Sequence, residues 1–204
     1  YFLPVNIHFG AGQVMETGKL ASVYGKKALI VCGGSSAKKS GLLDKVKGLL
    51  EDCGMTTALF DQVTPNPLTT TALEGAKVAK ENGSEVVVAV GGGSVMDCAK
   101  AIAFMAMNDG DLSDYIFGRI EGDRALPLIL IPTTCGTGSE ANGFAVLTDP
   151  KTGDKKSLRT SAIVAKDSIV DPDLMKTMPK SVLASVGFDA LCHCIEAYTA
   201  RQAQ

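Results

Sequence analysis

The chain has 204 residues, 46% of them apolar and 21% charged, which suits one large globular domain, or one domain and the beginning of another. A formal net charge of −2 argues against a general nucleic-acid binder, because Lys38-Lys39 and Lys155-Lys156 are only local basic spots. The greasiest runs, Val86 to Val90 and Leu126 to Ile131, fall far short of the roughly 20 residues a bilayer demands, so no membrane partner is expected.

In chain order, the N-terminus lacks the basic, apolar, small-residue succession of a signal peptide. It begins at Tyr1 rather than Met, which leaves room for residues ahead of it. Lys27 to Val31 reads as a buried strand ending at Gly33-Gly34. Leu42, Val46, Leu49, Leu50 and Cys53 then recur at helical spacing, and Gly54 closes that helix. Met55 to Phe60 reads as a second strand. Pro65-Asn66-Pro67 forces an extended turn, since proline biases the residue before it away from helix. Thr70 or Thr71 caps a helix with Leu73, Ala76 and Ala79 inward, ending near Asn82-Gly83.

Val86 to Val90 is the clearest strand, and Gly91-Gly92-Gly93 follows it directly. Ser94 opens a helix with Val95, Ala99, Ile102 and Ala106 on one face. Leu128 to Ile131 is the next buried strand, stopped by Pro132, and the polar stretch Asp149 to Asp154 fits a hairpin between short strands. From Thr177 the character changes. Pro179 sits where a helix begins, and the helical pattern runs to Gln204 without a closing signal, as in a truncated chain. We therefore set residues 1–180 as an α/β domain with a parallel sheet, and 181–204 as the beginning of a helical one. Cysteines 32, 53, 98, 135, 192 and 194 form no C-x-x-C pair, which fits reduced thiols and a cytoplasmic location.

A glycine turn between a buried strand and a helix aims backbone N–H groups and the positive helix end at one point, as a phosphate grip requires. Ser94 is placed to cap that helix, with Asp97 at capping-box spacing. The same residues also suit a tight, well-capped turn without any ligand. Neither the Rossmann spacing nor a P-loop ending is present, so the residues themselves specify phosphate or dinucleotide and no more. A second loop, Pro132 to Glu140, also follows a buried strand, and its hydroxyls and glycines can surround a polar ligand or merely cap a turn.

The run Gly91-Gly92-Gly93-Ser94-Val95-Met96-Asp97-Cys98-Ala99-Lys100 resembles the signature of the iron-containing (group III) alcohol dehydrogenases. Pro132 to Glu140, Pro65-Asn66-Pro67 and Gly187 to His193 resemble three further segments of that family, in its order and spacing. The resemblance implies a Rossmann-like α/β domain of the dehydroquinate-synthase-like fold, followed by an all-helical domain, with the site in the cleft between them. It implies that Gly92, Gly93, Ser94 and Asp97 hold the pyrophosphate and nearby ribose, while Thr133, Thr134 and Thr137 line the rest of the groove. Asn66, Lys156 near the nicotinamide ribose and Leu174 beside the adenine complete the implied set. Relatives that prefer NAD tend to carry an aspartate after the first strand, where this chain has Gly33, followed by Gly34 and Ser35. Without that carboxylate a 2′-phosphate meets no repulsion, so NADP is expected over NAD.

Asp189 and His193 are four apart, on one helical face, and offer an oxygen and a nitrogen suited to Fe²⁺ or Zn²⁺. Such pairs also occur as plain helix-surface pairs. The resemblance implies ligands, to a metal that polarises the oxygen of a small alcohol or aldehyde during hydride transfer. It calls for one aspartate and three histidines, yet the chain contains only His8 and His193, so weak metal binding and little turnover are expected of it. It also implies a homodimer joined through the region near Val5 to Phe9. Two alternatives stand beside the dehydrogenase: a dehydroquinate synthase or glycerol-1-phosphate dehydrogenase of the same architecture, and a nucleotide-binding domain without catalysis of its own.

Overall fold

The computed structural model describes residues 3–201. Its elements run β1 (Asn6–Phe9), α1 (Thr17–Ser22), β2 (Lys27–Gly33), α2 (Ser36–Lys39), α3 (Leu42–Asp52), β3 (Thr56–Val63), α4 (Thr69–Asn82) and β4 (Val86–Gly91). There follow α5 (Gly93–Met105), α6 (Leu112–Ile116), β5 (Leu128–Pro132), β6 (Phe144–Thr148), β7 (Lys155–Arg159), β8 (Asp167–Val170) and α7 (Lys180–Thr199). Six strands form one parallel sheet in the order β1-β8-β5-β4-β2-β3, and β6 and β7 pair antiparallel as a separate hairpin.

The apolar runs work because successive side chains of a strand point to opposite faces, and both faces here are covered. Leu29, Val31, Val87, Ala89, Leu128 and Leu130 pack with α4 and α5. Their neighbours Ala28, Ile30, Val86, Val88, Ile129 and Ile131 pack with α1 and α3 on the other side. Each fully buried Val, Leu or Ile contributes roughly 1.5–3 kcal/mol. Helix α5 has ten buried residues among its 13, the mark of a helix enclosed on all sides. It lies between the sheet, α4 and the hairpin strand β6.

Several expected helix boundaries shift. The α4 helix begins at Thr69 with Leu68 as the extended residue before it, so neither Thr70 nor Thr71 is its cap. Its end matches the expectation, with Gly83 left-handed at φ 60. Ser94 is not a cap either: the helix starts one residue earlier, and Gly92, extended and without a side chain, occupies the cap position. The last helix stops at Thr199, where the backbone of Ala200 becomes extended and leaves the helix; the expected continuation to Gln204 otherwise concerns residues 202–204, outside the described ones.

A polar clasp fastens the edge strand β1. Asp167 on β8, 3% exposed, accepts from the Tyr24 hydroxyl at 2.6 Å and from Asn6 Nδ2 at 3.4 Å, and meets His8 Nε2 at 2.8 Å. Burial, then the Asp167 hydrogen bond and charge, push the Tyr24 phenol up to about 12. Since the neutral phenol is the favoured form, its contribution to stability is present below pH ~10 and lost as pH rises through the folded value. An alkaline titration read by phenolate absorbance, wild type minus Tyr24→Phe, is expected to show a midpoint near 12 that Asp167→Asn brings down. A midpoint near that of free tyrosine, ~10, would contradict the clasp.

Candidate functional site

The sheet order reverses between β2 and β4: from β2 the chain moves outward to β3, then returns to place β4 on the other side. Crevices beyond strand C-termini form at such switch points. Here the crevice is an open cleft of about 560 Å³. Gly33, Gly34 and Ser35 line it after β2, Gly92, Gly93 and Ser94 after β4, and Thr133, Thr134 and Thr137 after β5. Leu174 lines it as well. Ten of the sequence-derived residues are thereby brought to one cavity.

The glycines are demanded by packing. A Cβ on Gly92 would stand 2.9 Å from Thr134 Oγ1, and one on Gly93 would stand 2.8 Å from Thr137 Cγ2. No side chain caps α5, so its first N–H groups stay open toward the cleft, where the helix dipole favours an anion. The β2 side carries no carboxylate on the cleft wall; Ser35, Ser36 and Ser40 line it instead. Close by, the Lys38 ammonium pairs with Asp61, which holds the lysine above its ordinary range and the carboxyl below its own.

Three expected cofactor residues are not among those lining the cleft. Asp97 is turned away, because its carboxylate accepts from Ser139 Oγ at 2.6 Å and from the Val146 N–H at 3.0 Å. Burial raises the Asp97 carboxyl, against the pull of those hydrogen bonds and of the Lys100 charge. The same bonds remove it from the expected capping box. Lys156 lays its ammonium over the Phe117 ring, 4.4 Å from the centroid. Asn66 sits in the left-handed region at φ 54 beside the cleft residue Pro65, and its Oδ1 accepts from Lys155 Nζ at 2.8 Å.

The cleft also has a wall that the sequence reading missed. Met178, Pro179, Val182 and Val186 close it from the start of α7. Val182 and Val186 stand four apart, and that spacing was the available signal. The threonine loop touches this helix directly: a Cβ on Gly136 would lie 2.2 Å from the Val186 carbonyl oxygen.

Asp189 Oδ1 and His193 Nε2 are 3.9 Å apart, and both side chains are exposed. His193 Nδ1 meets the Gly136 carbonyl oxygen at 3.1 Å. A carbonyl there favours the proton on Nδ1 and leaves the Nε2 lone pair facing Asp189, the arrangement of a metal-ligating imidazole. The pair fits part of a divalent-metal site. Among the described residues no group of three or more His, Cys, Asp or Glu side chains is placed to complete it. His8 cannot join, since its Nε2 is engaged by Asp167 at the sheet edge.

Fold and cleft define a class: a doubly wound parallel α/β domain with a glycine-led crevice at its switch point. The chain belongs to the iron-containing alcohol dehydrogenase family, whose profile matches residues 4–172. It is similar to alcohol dehydrogenase 4 of Schizosaccharomyces pombe, 36% identical, over 100% of this chain and 48% of that protein. The NADPH-dependent butanol dehydrogenase of Clostridium saccharobutylicum is 36% identical, over 98% of this chain and 52% of the relative. Among solved structures, NADH-dependent butanol dehydrogenase A from Thermotoga maritima superposes with a TM-score of 0.94 at 37% identity, over 98% of this chain and 50% of that one. The chain spans about half the length of the curated relatives it matches.

The glycine contacts can be tested by overpacking. Gly93→Ala is expected to destabilise the fold by about 1–3 kcal/mol in thermal melts. Thr137→Ser, which removes the clashing methyl, should recover part of that loss. Additive losses in the double variant would count against the close approach.

Proposed function

We propose that residues 1–180 form the dinucleotide-binding domain, and 181–204 the start of the helical domain, of an enzyme that moves hydride between NADP and a small alcohol or aldehyde. The observation that carries this reading is the uncapped start of α5 at Gly92-Gly93-Ser94, set in the switch-point cleft against Thr134 and Thr137. Backbone N–H groups there suit a pyrophosphate, and the threonine hydroxyls suit the sugar beyond it. NADP over NAD is supported by Gly33 and by a cleft wall of serines without a carboxylate.

Asp189 and His193 would hold Fe²⁺ or Zn²⁺ together with donors beyond these two. When bound, such an ion supplies electrophilic polarisation of the substrate oxygen. The chain's own contribution is binding and orientation: the glycine turn fixes the dinucleotide, Val182 and Val186 give its cleft an apolar wall, and the Gly136 carbonyl orients His193. A homodimer through β1 is supported by its position at the sheet edge and by Ile7 and Phe9, 42% and 72% exposed. A cytoplasmic location is supported by six unpaired cysteines, four of them partly or fully accessible.

A second reading, a nucleotide-binding domain without turnover of its own, draws on the two-donor metal pair. Two measurements test these readings. Fluorescence titration is expected to show NADPH binding at least ~tenfold more tightly than NADH, a difference of about 1.4 kcal/mol; tighter NADH binding would overturn the NADP preference, and binding of neither would overturn the dinucleotide site. With NADP, Fe²⁺ or Zn²⁺ and a primary alcohol, this polypeptide is expected to give no turnover, and robust turnover would contradict the incomplete metal site.

A further inference from the structure

Lys100 is fully buried on α5, about two turns beyond the glycine turn. An ammonium in a protein interior is costly unless its three donors are satisfied. Here all three are. Lys100 Nζ donates to Ser139 Oγ at 3.0 Å, Asn142 Oδ1 at 3.1 Å and the Phe144 carbonyl oxygen at 2.8 Å. The partners run from the end of the threonine loop to the first residue of β6. One helical turn earlier, Asp97 accepts from the same Ser139 hydroxyl and from the Val146 N–H. Ser139 is thus held between a buried cation and a carboxylate.

The bonds continue into the loop. Asn142 Nδ2 donates to the Gly138 carbonyl at 2.9 Å, and the Ser139 N–H donates to Thr137 Oγ1 at 3.3 Å. At the loop's other end the Thr133 N–H donates to the Gly91 carbonyl at 3.0 Å. Between these two anchors Thr134 and Thr137 press on Gly92 and Gly93. Burial drags the Lys100 ammonium down to about 8, while the charges of Asp97 and Glu140 act in the opposite direction. A buried residue whose three hydrogen-bond partners run from the threonine loop to the first residue of β6 serves that segment.

We infer that Lys100, with Asp97, is a positioning residue of the cofactor cleft: it pins Gly138–Asn142 to α5 and so keeps Thr134 and Thr137 against the glycine turn. Lys100 itself is not among the residues lining the cleft. Its effect on dinucleotide binding rests on the reading given under Proposed function; its effect on the loop does not.

The test compares wild type with Lys100→Met, which keeps the unbranched stem and removes the ammonium, and with Ser139→Ala, a milder cut in the same knot. Amide hydrogen exchange without ligand is expected to quicken at least ~tenfold across Thr134–Asn142 in Lys100→Met and less in Ser139→Ala, with β2, β4 and β5 unchanged. The NADPH dissociation constant is expected to rise about tenfold in Lys100→Met, the methyl and hydroxyl of both threonines being intact. Unchanged loop exchange overturns the inference. So does acceleration spread evenly over the sheet, which would make Lys100 a core residue only. A loosened loop with unaltered NADPH affinity also overturns it, by separating the knot from the cleft. If wild type itself binds neither NADPH nor NADH, the dinucleotide reading falls and the exchange pattern alone decides whether Lys100 positions the loop; if it binds only NADH, the affinity comparison is made with NADH. Should Lys100→Met not fold, Ser139→Ala decides by the same two criteria.

Discussion

Two strand ends have to approach each other closely for the cleft to exist. The backbone leaving β4 runs so near the threonine loop after β5 that a single methyl on Gly92 or Gly93 would enter the space of Thr134 or Thr137. Much of the architecture serves this contact. Parallel pairing of β4 with β5 delivers both ends to the same edge of the sheet. Enclosure of α5 between sheet, α4 and hairpin holds the axis of the helix that begins there. Because that helix start has no side-chain cap, its hydrogen-bonding capacity points outward rather than being used within the fold.

Electrostatics in the domain follow the same division between holding and binding. Charges that are buried or half-buried are spent internally: Asp167 on the β1 clasp, half-buried Asp97 and buried Lys100 on the loop. The walls of the cleft are instead neutral, built from glycine, serine, threonine and apolar side chains. Such a wall leaves an incoming phosphate to be met by backbone dipoles. Since carboxylates are absent from the cleft lining, nothing there repels it.

Strands in the middle of the sheet were legible from sequence because burial on both faces writes an unbroken apolar run, as in Val86–Val90 and Leu128–Ile131. The short strands β1 and β8 carry no such run. Asn6, His8 and Asp167 interrupt them with polar side chains that only the clasp makes sense of. Within the cleft, glycines and threonines were readable from their place after strands. Asp97 does not line the cleft, because one turn of helix rotates it toward Ser139 and Val146, partners more than forty positions away that its sequence neighbours do not announce. Lys156 and Asn66 likewise do not line it: the Lys156 ammonium lies over the Phe117 ring, and Asn66 Oδ1 accepts from Lys155. Sequence spacing fixes which residues share an element; it says nothing of which distant atom a long side chain will prefer.

Gly136 carries one further consequence. Its carbonyl orients the imidazole of His193, its Cα lies against the Val186 carbonyl, and the residue after it presses on Gly93. Under the proposed function, one peptide unit would serve the dinucleotide site and the metal pair at once. Any displacement of that unit is shared by the threonine loop and the last helix, so the glycine turn and the Asp189–His193 pair are geared together across the junction between sheet and helix rather than merely placed side by side.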